Sequence, residues 1–186
     1  MQSNTDSNQS QEKTSTSTDG NQLSKPKTDS EVIWLTATKD HIEEAFELYG
    51  DDWDKSDISK TFDVPYTPDI DTLKYLADEE ILKGIVGYNK EGSMVGIYAA
   101  MLIPYPYSQE LRTAEEIVWV LDEEYRSLRN LNTFLNQIDR FLVDNKADLG
   151  SLTLPFQMSS PTLLKFFSKK DWLPMDIKLM KRHYHG

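Results

Sequence analysis

One change of period, between Thr113 and Ala147, constrains the fold more than any other feature of this chain. TAEEIVWVL (113–121) is dense in β-branched and aromatic residues and reads as a strand. Past DEEYRS the apolar spacing becomes helical. From Arg126 to Ala147, Leu128, Leu131, Phe134, Leu135, Ile138, Phe141 and Leu142 share one face, with Asn132, Asn136, Asp139 and Arg140 on the other. LGSLTLPFQ (149–157) then reads as a strand again. A strand, a long amphipathic helix and a second strand form a β-α-β crossover, which brings two parallel strands into one sheet.

The rest of the folded region is mostly antiparallel in character. EVIWLTAT (31–38) is a strand, and KDHIEEAFELY (39–49) a helix with Ile42, Ala45, Phe46 and Tyr49 at its spacing. GDDWDKSD (50–57) reads as an acidic loop. TPDIDTLKYLADEE (67–80) reads as a helix capped by Thr67, with Pro68 at its first position. KGIVGYNK (83–90) and MVGIYAAMLIP (94–104), joined at EGS (91–93), form a hairpin. SSPTLLKFFSKK (159–170) is a helix with a serine cap and Pro161 at its start, and MDIKLMKRHY (175–184) a closing strand. The order predicts an α/β chain of the α+β type: a mixed, mostly antiparallel sheet with helices on both faces.

Residues 1–30 are different. Ser, Thr, Asn and Gln dominate, and Met1 and Leu23 are the only large apolar residues. Such a segment cannot bury enough apolar surface to offset chain entropy, so it is expected to be a disordered tail before a single domain at 31–186. The tail holds Asp6, Glu12, Asp19 and Asp29 against Lys13, Lys25 and Lys27. Of the net charge of −11, the tail therefore carries −1 and the remainder −10. That balance argues against nucleic-acid binding, which needs Lys and Arg to neutralise phosphates, and favours cationic partners such as an amine or a basic protein. The chain has no cysteine, no apolar run near the roughly 20 residues that span a bilayer, and no signal-peptide pattern. A soluble, cytoplasmic protein is expected, with no metal site. His183 and His185 lack an evident third ligand, and the acids of 50–57 lack the central glycine and terminal glutamate of a calcium loop.

The turn between strand and helix, LDEEYRSLRNL (121–131), lies where a phosphate would sit. A helix amino terminus presents unpaired N–H groups and partial positive charge. Asp122, Glu123 and Glu124 suit the bare helix start but repel an anion. A second stretch, SSPTLLKFFSKKDW (159–172), pairs a capped helix with an aromatic doublet.

The element order from about Val32 to Tyr184, with these two stretches, resembles the GNAT superfamily of acyl-CoA-dependent N-acyltransferases. Leu121 takes the family's strand-end position, Glu123 that of a common Pro, and Tyr125-Arg126 an aromatic–Arg pair. Arg129 and Leu131 stand at the two glycine positions that let a pyrophosphate approach the backbone. The resemblance implies acetyl-CoA as co-substrate, held by Val120, Leu121, Arg126, Ser127, Leu128, Arg129, Asn130 and Leu131, with Arg129 offering a guanidinium where glycine is missing. In the second stretch Ser160 takes a common Asn position. Phe167 takes that of the Tyr whose hydroxyl protonates the departing thiolate, and it has no proton to give. Both residues are expected beside the CoA arm, although paired phenylalanines also suit a core.

AEEIVWV (114–120) carries a Glu-Ile-Val similar to that of the histone-acetyltransferase branch, which makes Glu116 the implied general base. An amine must lose a proton to attack a thioester, and a partly buried carboxylate can take it. Alternation puts Glu115 and Glu116 on opposite faces, and both also suit a solvated strand edge. An oxyanion donor is expected among the backbone N–H groups of Val120 to Asp122. Two functions follow. One is acetyl transfer from CoA to an amine. The other is a catalytically degenerate binding or structural module of the same fold, such as a viral or phage accessory protein engaging a basic partner.

Overall fold

The computed structural model describes residues 31–154 and 160–174. The tail, residues 155–159 with the end of the strand expected at 149–157, and the closing strand expected at 175–184 lie outside them. Among the described residues five strands form one sheet in the order β1-β2-β3-β4-β5. β1 (Ile33–Thr36), β2 (Leu82–Tyr88), β3 (Met94–Tyr105) and β4 (Ser108–Leu121) are antiparallel neighbours. β5 (Leu149–Gly150) joins β4 in parallel. This is the mixed, mostly antiparallel sheet that the element order predicts.

Both faces are covered. On one, α1 (Ile42–Trp53) and α3 (Ile70–Asp78) lie over the sheet, packing Ile42, Ala45 and Phe46 against Val86, Ile97, Ala99 and Val118. On the other, α4 (Leu128–Asp144) seats Phe134, Leu135, Ile138 and Phe141 against Tyr98, Ala100, Ala114 and Leu121, and α5 (Pro161–Ser168) adds Phe167. Phe134, Leu135 and Ile138 are fully buried, as the predicted stripe requires. Among the described residues no helix is long and apolar enough to cross a membrane.

The stretch 50–57 is not a loop. α1 runs through Gly50-Asp51-Asp52-Trp53, and Asp57 opens a short α2 (Asp57–Phe62) capped by Ser56. Tertiary packing overrides the breaker signal. Tyr66 lies across Gly50, where a Cβ would come within 2.9 Å of its ring. The Tyr66 hydroxyl donates to Phe46 O at 2.6 Å, and Trp53 Nε1 donates to Val64 O at 3.1 Å. The next helix starts two residues later than its sequence suggests. Asp69, not Thr67, caps α3, accepting from Thr72 N at 3.1 Å and Thr72 Oγ1 at 2.8 Å. The β2–β3 turn begins at Asn89, whose Oδ1 accepts from Glu91 N at 3.0 Å and Ser93 N at 2.9 Å. β4 starts earlier than expected because Tyr105 pairs with Ser108 across Pro106 and Tyr107, closing a tight hairpin with β3. PYPY is therefore that hairpin's tip, where Tyr105 and Tyr107 meet edge to face at 5.6 Å.

Candidate active site

The two parallel strands part almost at once. β4 and β5 pair at Thr113–Leu149 and Ala114–Gly150, and Ser151 N donates to Ala114 O at 3.0 Å. Among the described residues the ladder stops there, while β4 continues from Glu115 to Leu121 beside segment 151–154. Side chains cross the resulting gap. The Glu116 N–H turns to Ser151 Oγ at 2.8 Å, and Thr153 N donates to Glu116 Oε2 at 2.5 Å. Trp119 Nε1 donates to Thr153 O at 2.6 Å.

A bulge puts Trp119 there. Ala99 pairs with Val118 but Ala100 with Glu116, so Ile117 is extra. After it, Ile117, Val118 and Val120 belong to the α1 side, and Trp119 and Leu121 to the α4 side. The Trp119 indole tilts onto Phe134 at 6.2 Å, and Phe134 stacks on Trp34 at 4.6 Å.

β4 leads into α4 through a single 3-10 turn, Glu123–Tyr125. Asp122 N donates to Val95 O at 2.8 Å, so this expected oxyanion donor is engaged by β3. Asp122 Oδ1 in turn accepts from Glu124 N at 2.9 Å. Tyr125 is buried and its hydroxyl accepts from Asn89 Nδ2 at 3.2 Å. Ser127 caps α4, accepting from Asn130 N at 3.2 Å, while Asn130 Nδ2 donates to Tyr125 O at 3.0 Å. Ser127 N is also engaged, by Tyr125 O at 2.8 Å. Leu128, in the first turn, is 61% exposed, whereas Leu131 packs into the core. Arg126 does not reach out over the helix start. Its Nε donates to Leu121 O at 2.7 Å, and its guanidinium pairs with Asp52 at the end of α1.

No protein-family model matches the sequence, and no curated protein sequence matches it. Solved structures do match. An acetyltransferase from Clostridium acetobutylicum, solved with acetyl-CoA, superposes with a TM-score of 0.60 at 11% identity, covering 83% of this chain and 100% of its own. A GCN5-related N-acetyltransferase from Ralstonia eutropha gives 0.59 at 12%, over 84% and 100%. An aminoglycoside acetyltransferase from a soil metagenome, in complex with sisomicin, gives 0.56 at 11%, over 83% and 95%. The chain has the GNAT fold.

Within this GNAT fold the residues singled out in the sequence fall into three groups. Glu116 stands in the β4–β5 gap, and Ser127, Leu128, Arg129 and Asn130 form the start of α4. Val120 and Leu121 are buried on opposite faces of β4, in register with Ile97 and Gly96. Ser160 caps α5, accepting from Leu163 N at 3.3 Å, and Phe167 is buried with its ring edge-on to Phe166 at 5.9 Å. Nothing in the sequence points to Tyr49 or Thr153 as parts of the site. Burial first, then the charges of Glu116 and Asp52, push the Tyr49 phenol up, so these carboxylates act on one hydroxyl at the α1 side of β4. Burial likewise pushes Tyr98 up, with Glu116 and Glu115 adding to it. The Asp52–Arg126 pair joins residues far apart in sequence, and no local pattern announces it.

Proposed function

We propose that this chain is an acyl-CoA-dependent N-acyltransferase that moves an acetyl group from acetyl-CoA to an amine. The observation that carries the reading is the departure of β5 from β4 beside the amino terminus of α4. A gap between strands suits an extended, amide-bearing arm, and a capped helix start suits its pyrophosphate. Residues 127–131 would hold the phosphates chiefly through the helix dipole, with Arg129 as the added cation, because the N–H groups of Ser127, Asn130 and Leu131 are taken by Tyr125 O, Ser127 Oγ and Ser127 O. Glu116, directly or through a water, would take the proton from the attacking amine. Phe167 cannot protonate the leaving thiolate, and water suffices, because a thiol has a pKa of about 8.5. The acidic balance of the chain supports a cationic acceptor, and the absence of cysteine supports a cytosolic setting.

A catalytically silent module is the second reading. The bond from Trp119 to Thr153 favours it, because the indole occupies the gap that the arm would use. In that case the acidic surface would engage a basic protein partner instead.

Calorimetry with acetyl-CoA on the wild type and on Leu128→Glu separates the two. Glutamate in the first turn suits the helix dipole, so α4 is kept, but its charge opposes a phosphate at the same place. The enzyme reading predicts micromolar binding that falls at least tenfold in the variant. An absence of binding heat and of any thermal shift would favour the silent module.

A further inference from the structure

We propose that Trp119 and Glu116 form a latch across the β4–β5 gap, which an acyl-CoA arm must open before it can bind. The inference rests on the acyl-CoA reading above and adds a residue that governs admission of the ligand.

Three observations carry it. First, the bonds spanning the gap run from side chains, not from a backbone ladder. Trp119 Nε1 holds Thr153 O, Glu116 Oε2 holds Thr153 N, and Ser151 Oγ takes the Glu116 N–H. Side chains release by changing rotamer, whereas a ladder would have to unzip. Second, the latch engages both backbone groups of one residue. Thr153 offers one donor and one acceptor toward β4, the pair that an extended amide chain takes when it lies along a strand. Glu116 and Trp119 thus satisfy the groups that an entering arm would need. Third, the indole is held in place from behind. It rests on Phe134, which stacks on Trp34, so the closed position is a defined one. The bonds to Thr153 lie toward solvent, where water replaces them when they break, so opening carries a small cost.

The test compares acetyl-CoA binding to the full chain and to Trp119→Phe by calorimetry. Phenylalanine keeps a ring on Phe134 and deletes the N–H. The latch predicts about two- to tenfold tighter binding in the variant, the range set by one hydrogen bond no longer to be broken. It further predicts that the Trp119 indole N–H resonance of the wild type, assigned through its contact with Thr153, shifts on saturation with acetyl-CoA. That measurement decides the matter if the variant fails to fold. Binding that is equal or weaker in Trp119→Phe, with the wild-type indole unmoved, overturns the latch and leaves the acyl-CoA reading standing. Binding by the variant alone supports a latch closed in the wild type. Binding by neither protein overturns both.

Discussion

The Tyr98 hydroxyl is fully buried and has no hydrogen-bond partner among the described residues. Its ring is well placed, edge-on to Phe141 at 5.4 Å, so the cost lies in the oxygen alone. An unsatisfied buried hydroxyl typically costs about 1–3 kcal/mol. Tyr98→Phe should therefore raise stability by about 1 kcal/mol in chemical denaturation, and a loss of that size would show that the hydroxyl has a partner. The neighbouring glutamates illustrate how far single residues can be read in advance. Glu116 can be singled out because Glu-Ile-Val is a local pattern. The face that Trp119 takes cannot, because it depends on the bulge at Ile117, and β3 pairing sets that bulge rather than β4's own sequence.

Among the elements, α1 and the β4–α4 turn are tied by Asp52 and Arg126. The two side chains are 35% and 31% exposed, so solvent screens much of the attraction. Asp52→Asn should cost about 0.5–1 kcal/mol, and the loss should shrink as salt is raised. An unchanged melting temperature at low salt would mean that the pair does not join these elements. α4 was the most legible element, since its apolar stripe alone specifies its buried face. α5 was nearly as clear, with Ser160 and Pro161 marking its start as expected. The end of α1 was hidden because Gly50 and its acids imitate a loop, and the contacts that hold the helix there, from Tyr66 and from Trp53 to Val64 O, are tertiary. The behaviour of the strand expected from Leu149 was hidden: in the described segment 151–154 the ladder with β4 is interrupted, and Glu116 and Trp119 take the backbone groups of Thr153.

At the scale of the whole molecule, several tyrosines fold in their neutral form. Tyr88 is pushed up to about 12 by burial, with a hydrogen bond to Glu44 and its charge adding to the effect. Burial also leads the upward shifts of Tyr49, Tyr66 and Tyr98. An unfolded tyrosine titrates near 10. A folded pKa above that value means that the native state holds its protons longer. The stability this contributes is complete below pH of about 10 and is lost as pH rises through the folded values. The melting temperature should fall from about pH 10 and steepen toward 12, with phenolate absorbance of the native protein lagging behind that of the unfolded chain. A native titration coincident with the unfolded one would contradict this. The mixed, mostly antiparallel sheet and its two covered faces were legible from hairpin, crossover and helix spacing together. The proposed function rests on a smaller region, formed by β4, segment 151–153 and the start of α4. The most direct measurement is calorimetric titration of acetyl-CoA into the full chain beside Leu128→Glu. The account predicts micromolar binding to the first and at least tenfold weaker binding to the second. Equal affinity would place the ligand away from α4, and no binding to the wild type or to Trp119→Phe would contradict acyl-CoA recognition altogether.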